Sequence, residues 1–152
     1  MKINKIYVQK DINDKFVESI ISKYPGAVIN EFENIKDIPS NTNILPFLIK
    51  DKLIIANKKG PFIINCPCSP KQVSCGYYIL DWGQGCPYKC SYCYLNYYQN
   101  MDGILLYANL SECFDQLDKF LLNNKKDLIR IGTGEFIDLS LIHISEPTRL
   151  RR

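Results

Sequence analysis

The sequence predicts an α/β fold: a small N-terminal α/β region, followed by the first strands and helices of an incomplete, partial (β/α) barrel. Three observations lead there. Residues 4–30 read as strand, helix, strand, and residues 76–135 run strand, loop, helix, strand and glycine loop, the rhythm of a parallel sheet. The 152 residues hold only two or three such units, and a barrel closes only when enough strands make tilt and stagger consistent. The expected division is an N-terminal α/β region over 1–65, the start of a core domain over 66–140, and a non-native tail over 141–152.

Taken in order, NKIYVQ is short and β-prone, and DINDKFVESIISKY sets Ile12, Phe16, Ile20 and Ile21 at helical spacing, with Asp11 or Asn13 as its cap. Pro25-Gly26 then turns the chain into the strand GAVIN. Residues 31–46, carrying Pro39, Ser40, Asn41, Asn43 and Pro46, read as connector. FLIKDKLIIANKKG and PFIIN are expected to pair as a hairpin, ahead of a loop at 66–75. GYYILDWG is a strand, Tyr94–Asn100 begins a helix, and GILLYANL is extended. SECFDQLDKFLLNN is an amphipathic helix through Phe114, Leu117, Leu121 and Leu122, and DLIRIGTGE is a buried-type strand ending in glycines. If the barrel is incomplete, a bare sheet edge follows.

Composition narrows the class. With 46% hydrophobic and 23% charged residues the chain belongs with soluble globular proteins, not with disordered ones. No apolar run reaches the roughly 18 residues of a membrane span, and MKINKIYVQK lacks the apolar stretch of a signal peptide. A cytoplasmic location with no membrane partner is the expectation. In that reducing compartment seven cysteines point to metal or catalytic use over disulfides. The net charge is +3, but residues 141–152 hold three arginines against one glutamate, so the remainder carries +1 and no basic nucleic-acid footprint. LSLIHISEPTRLRR resembles a translated sequencing adapter, and the natural sequence is expected to end near Ser140; the alternative is a genuine polar arm. The single histidine, His143, lies in that tail and receives no role. Lys58-Lys59 and Lys125-Lys126 read as solvated turn charges, and Trp82 as packing.

The chemistry concentrates in GCPYKCSYCYL, where Cys86, Cys90 and Cys93 stand close together behind Gly85. Four thiolates complete the coordination of a cubane iron–sulfur cluster, and a structural zinc also wants four ligands, usually as two separated pairs. Three close cysteines with neither a second pair nor a usable histidine favour a cluster with one vacant coordination site. Gly85 allows close backbone approach, and Pro87 stiffens the turn. Cys66, Cys68 and Cys75, spaced C-x-C-x6-C, either bind an auxiliary metal or are loop thiols. IRIGTGE runs a strand into Gly132, Thr133, Gly134 and Glu135, where backbone groups and a carboxylate can meet a ligand ammonium, or which is a plain strand-end turn.

The spacing C-x3-C-x2-C followed by Tyr-Leu, with Tyr92 before the third cysteine, resembles the radical S-adenosylmethionine (SAM) superfamily. GCPYKCSYCYLNYY and IRIGTGEFIDLS, within residues 60–140, resemble the spore photoproduct lyase family. The resemblance implies a [4Fe–4S] cluster on Cys86, Cys90 and Cys93, whose fourth iron chelates SAM and whose reduction yields a 5′-deoxyadenosyl radical for hydrogen abstraction. It implies that Tyr92 meets the adenine, that Gly132, Thr133, Gly134 and Glu135 hold the methionyl amine, and that Tyr94 relays hydrogen. It further implies a one-electron donor such as a ferredoxin or flavodoxin, and DNA or another nucleobase as substrate. One departure stands out. Members of the family carry a hydrogen-donor cysteine near this strand end, where Glu135 stands here, and Cys113 on the preceding helix reads as a core residue. A different substrate for the same radical therefore remains open, as does a non-catalytic iron–sulfur or zinc-binding module.

Overall fold

The computed structural model describes residues 3–39, 51–67, 76–86, 103–124, 128–132 and 137. The chain begins with β1 (Lys5–Gln9), α1 (Lys15–Ile21) and β2 (Val28–Phe32). β2 lies parallel to β1 with Ile6 opposite Ile29, which is the strand–helix–strand unit expected from the apolar spacing. The helix is capped one residue past Asn13 and three past Asp11, the expected caps. Asp14 takes the extended N-cap conformation, and its Oδ1 accepts the Phe16 N–H at 2.8 Å. Asp11, with φ +71°, makes the turn out of β1 instead. On α1 the side facing the sheet carries Val17, 3% exposed, with Ile20 and Ile21 half-buried and Ile12 packed beside them from before the helix, whereas Phe16 is 42% exposed.

β3 (Lys52–Ala56) lies parallel to β1 on the side away from β2, and β7 (Ile104–Tyr107) lies parallel to β3. All five β3 residues are buried, as a central parallel strand covered on both faces demands of the run KLIIA. Ile6, Leu53, Ile55 and Ile104 face α1; Tyr7, Ile54, Ala56 and Leu105 face the other way, against Phe32 and Ile38. Lys52 is only 7% exposed and donates from Nζ to the Pro39 carbonyl at 2.6 Å. The two-residue β6 (Gly83–Gln84) closes this sheet antiparallel to β7, giving the order β2-β1-β3-β7-β6.

A second sheet has the order β4-β5-β8, formed by Ile63–Asn65, Tyr77–Leu80 and Arg130–Gly132. The hairpin expected of FLIKDKLIIANKKG with PFIIN does not form. β3 pairs only with β1 and β7, while β4 pairs antiparallel with β5, because a strand buried on both faces has its two edges occupied by parallel neighbours. β5 and β8 are parallel, with α2 (Leu110–Asn123) on the path between them, and among the described residues the far edge of β8 carries no strand.

α2 packs only in part on the predicted side: Leu117 is half-buried and Cys113 is a core residue as expected, but the rest of the predicted face is not buried. Cys113 is 2% exposed, and Gln116, Leu117 and Phe120 are half-buried on the same side, with the Phe120 ring edge-on to Tyr78 at 4.6 Å between centroids. Phe114, Leu121 and Leu122 are exposed. The helix is apolar on more than one side, and periodicity alone does not say which side meets the sheet.

The observed cap gives a direct test of the α1 start. Asp14→Ala should lower stability by about 1 kcal/mol, and Asn13→Ala by less than about 0.5 kcal/mol, both read from urea denaturation midpoints. Equal losses at the two positions would refute the assignment.

Candidate functional site

The expected cluster loop begins where β6 ends. After β5, the Asp81 N–H bonds the Phe62 carbonyl at 2.7 Å, and the Trp82 carbonyl accepts the Tyr107 N–H at 3.2 Å. The chain then runs back along β7 through Gly83 and Gln84 to Gly85 and the half-buried Cys86. Glycine is required twice on this path. A Cβ at Gly83 would stand 2.6 Å from the Leu105 carbonyl oxygen. Gly85 has φ +95°, and its Cβ would stand 2.6 Å from the Gly103 carbonyl oxygen and 3.1 Å from the Ile104 Cα. The close approach at Gly85 is thus to the backbone at the head of β7, which fixes where the chain leaves the sheet immediately before the first cysteine.

The second expected site begins at the end of β8. The Tyr77 phenol fills the place that a side chain at Gly132 would take, and the Arg130 guanidinium stands over the same ring, 5.9 Å from its centroid. Beyond the glycine-rich segment, the Ile137 Cδ1 lies 3.0 Å from the position of a Cβ on Gly83. Gly132 and Ile137 therefore bracket Thr133, Gly134 and Glu135, and Ile137 reaches the strand that leads into Cys86. Sequence reading had no signal for these two contacts, since both depend on the absence of a side chain at a particular register.

Of the residues singled out from the sequence, the described structure holds Cys86, Gly132, Gly85, Cys66, Trp82, Cys113, Lys58 and Lys59. Cys90, Cys93, Tyr92, Tyr94, Thr133, Gly134 and Glu135 lie outside it, as do Cys68, Cys75 and Lys125-Lys126. Among the described residues no three His, Cys, Asp or Glu side chains converge on a metal position. Cys66 is half-buried, and its N–H bonds the Tyr77 carbonyl at 2.9 Å, extending the β4–β5 ladder by one residue. Cys113 sits in the core, where burial pushes its thiol pKa up and the Lys58 charge pulls it partly back.

Lys58 is not a solvated turn charge. Its Nζ pairs with Asp81 Oδ2, with the side chains only 13% and 18% exposed, and stands 4.9 Å from the Tyr107 ring centroid and 5.8 Å from that of Phe62. Asn109 grips the same residue through its backbone, Oδ1 accepting from the Lys58 N–H at 2.9 Å and Nδ2 donating to its carbonyl at 3.2 Å. Gln116 Oε1 accepts the Phe62 N–H at 2.8 Å. The cluster joins the end of β3 to the end of β5, and the 23 residues between Lys58 and Asp81 hide it from a local reading of the sequence.

Compared with solved structures, 90% of the chain superposes on spore photoproduct lyase complexed with dinucleoside spore photoproduct, with a TM-score of 0.70 and 18% identity. A doubly substituted variant of the lyase with bound AdoMet and the same dinucleoside gives 0.69 and 21%, again over 90% of this chain. The fold is that of the spore photoproduct lyase structures. The chain spans about 41% of the length of those two proteins. No protein-family model matches the sequence, and no curated protein compared with it does. The spore photoproduct lyase fold thus emerges from the path of the backbone, not from overall sequence similarity.

Two substitutions probe this geometry. Gly85→Ala should cost about 1–3 kcal/mol for its left-handed φ, with the Gly103 contact added. Lys58→Ala should cost about 1–3 kcal/mol by leaving the half-buried Asp81 carboxylate without its partner, against less than about 0.5 kcal/mol for the exposed Lys59→Ala. Denaturation midpoints check both, and a Lys58 variant as stable as the Lys59 one would break the assignment.

Proposed function

We propose that the chain is part of a radical SAM enzyme with lyase-like chemistry, acting from the opening strands of a partial (β/α) barrel of which β5 and β8 are members. The observation that carries the reading is the position of Cys86: the first thiolate of C-x3-C-x2-C follows the Gly85 exit in a chain with the spore photoproduct lyase fold. A half-buried cysteine leaving a strand through a glycine suits a thiolate ligand, since the loop can curl round a cluster while the strand holds its root.

In this reading Cys86, Cys90 and Cys93 hold a [4Fe–4S] cluster. When bound, the cluster supplies one electron that cleaves the sulfonium carbon–sulfur bond of SAM to methionine and a 5′-deoxyadenosyl radical. Gly132, Thr133, Gly134 and Glu135 receive the methionyl ammonium, the glycines freeing backbone groups and the carboxylate accepting hydrogen bonds. Tyr92 packs against the adenine, and Tyr94 returns a hydrogen atom. The contact of Ile137 with Gly83 supports this joint use of the two segments, because it draws the chain beyond Glu135 onto the strand before Cys86.

The solved relatives include a complex with a dinucleoside spore photoproduct, which supports a damaged nucleobase in DNA as the substrate class. Glu135, standing where the family has its donor cysteine, equally admits another substrate for the same radical. A cytoplasmic enzyme of this kind would draw its electron from a ferredoxin or flavodoxin. Among the described residues no helix is long and apolar enough to cross a membrane.

The test belongs on the full-length gene. Anaerobic reconstitution should give a brown protein with about four irons per chain that forms 5′-deoxyadenosine from SAM and dithionite, and Cys86→Ala should abolish both. A colourless protein holding a single zinc would instead establish a non-catalytic binding module. An iron content above about four that falls in Cys66→Ala would add an auxiliary cluster on Cys66, Cys68 and Cys75.

A further inference from the structure

The four parallel strands of the first sheet are ordered β2-β1-β3-β7, so the chain steps from β1 to one side and resumes on the other. The carboxyl ends of β1 and β3 flank the reversal. In open α/β sheets that is where the connections part and leave a crevice for a ligand. A cavity of about 420 Å³ opens at this place, walled by Gln9 from β1, Glu33 and Lys36 after β2, Asn57 and Lys59 after β3, and Tyr107 at the end of β7. It is large enough for a small-molecule site. The strand that leads to Cys86 leaves at the other end of β7: Gln84, two residues before Cys86, pairs with Leu105 near the amino end, whereas Tyr107 is at the carboxyl end.

The wall chemistry is one-sided. Gln9 Oε1 already accepts the Asn57 N–H at 2.8 Å, so what Gln9 still offers is its amide donor. Glu33 is neutralised by Lys10, 2.5 Å away, and the hydrogen bond and charge of that lysine hold its carboxyl below the usual range. Lys36 and Lys59 are exposed and have no carboxylate partner among the described residues. Burial, followed by the Asp81 charge, keeps the Tyr107 phenol protonated and thus a donor. The lining thus brings the ammonium groups of Lys36 and Lys59 besides the paired Lys58, three amides from Gln9, Asn34 and Asn57, and a phenol, while its one carboxylate is already matched.

We propose that this crevice binds a phosphorylated small molecule of nucleotide size. A phosphate takes the charge and several hydrogen bonds of such a donor-rich rim, and the cavity volume leaves room for the rest of a nucleotide-sized molecule. None of the residues that wall the crevice is among those assigned to the cluster or to SAM, and its test needs no cluster.

Calorimetric titration of the full-length protein with AMP should show saturable binding, with inorganic phosphate competing as the recognised group. The double variant Lys36→Ala/Lys59→Ala should weaken AMP binding about tenfold or more with its thermal midpoint unchanged, because both side chains are exposed. Cys86→Ala should bind AMP as the parent does. Absence of saturable AMP binding, or binding indifferent to the double variant, overturns the proposal. So does a single-stranded oligonucleotide that binds more tightly than AMP and depends on the same two lysines, since the surface would then be a nucleic-acid contact.

Discussion

The arrangement of the two sheets hangs on one ion pair. Lys58 leaves the end of β3, Asp81 leaves the end of β5, and they meet beneath Phe62 and Tyr107, where little water reaches. Removing two charges from water is costly, and the attraction between them compensates only when further contacts satisfy both groups. Here the ammonium also faces two aromatic rings, and Asn109 and Gln116 bind the backbone on either side. The outcome is geometric more than energetic. An apolar contact can slide, whereas a half-buried ammonium and carboxylate that bond each other hold a narrow range of separations. That separation sets the second sheet against the first, and with it the path from β5 through β6 to Cys86.

What could be read from the sequence follows from how local each signal was. The first strand–helix–strand unit was legible because its apolar residues recur at fixed spacings within one element. The run KLIIA was legible as a strand, but neither its full burial nor its neighbours were. Those lie as far away as Ile104, and the nearer PFIIN looked the better partner only by proximity. The α1 cap was misplaced, since Asp11, Asn13 and Asp14 are all plausible caps and only backbone conformation separates them. On α2 several apolar residues competed for the core, and the shape of the sheet beneath favoured Cys113 and Phe120 over Phe114 and Leu122.

The candidate site divides in the same way. Cysteine spacing is a local pattern and can be read from the sequence alone, even though overall identity to the solved structures is only 18%. The contacts that position the loop do not announce themselves. Gly83, Gly85 and Gly132 each make room for a group that is remote in sequence: Ile137, Gly103 and Tyr77. Lys58 looked like half of a surface doublet, and only the fold distinguishes it from Lys59.

The strand pairings also bear on how the molecule assembles. β7 lies beside β3, with Leu53 opposite Ile104, and β4 lies beside β5, so the chain passes from one sheet to the other and back. Neither sheet is contiguous along the polypeptide. Excising residues 66–140 would strip β7 of β3 and β5 of β4, exposing two unsatisfied edges, so the halves depend on each other for their hydrogen bonds. Joining Leu53 to Ile104 also closes a long loop before any contact offsets the lost chain entropy, and such non-local pairing makes folding slow. On a ribosome, the early strands must therefore wait, with β3 bare on one edge, until β7 emerges.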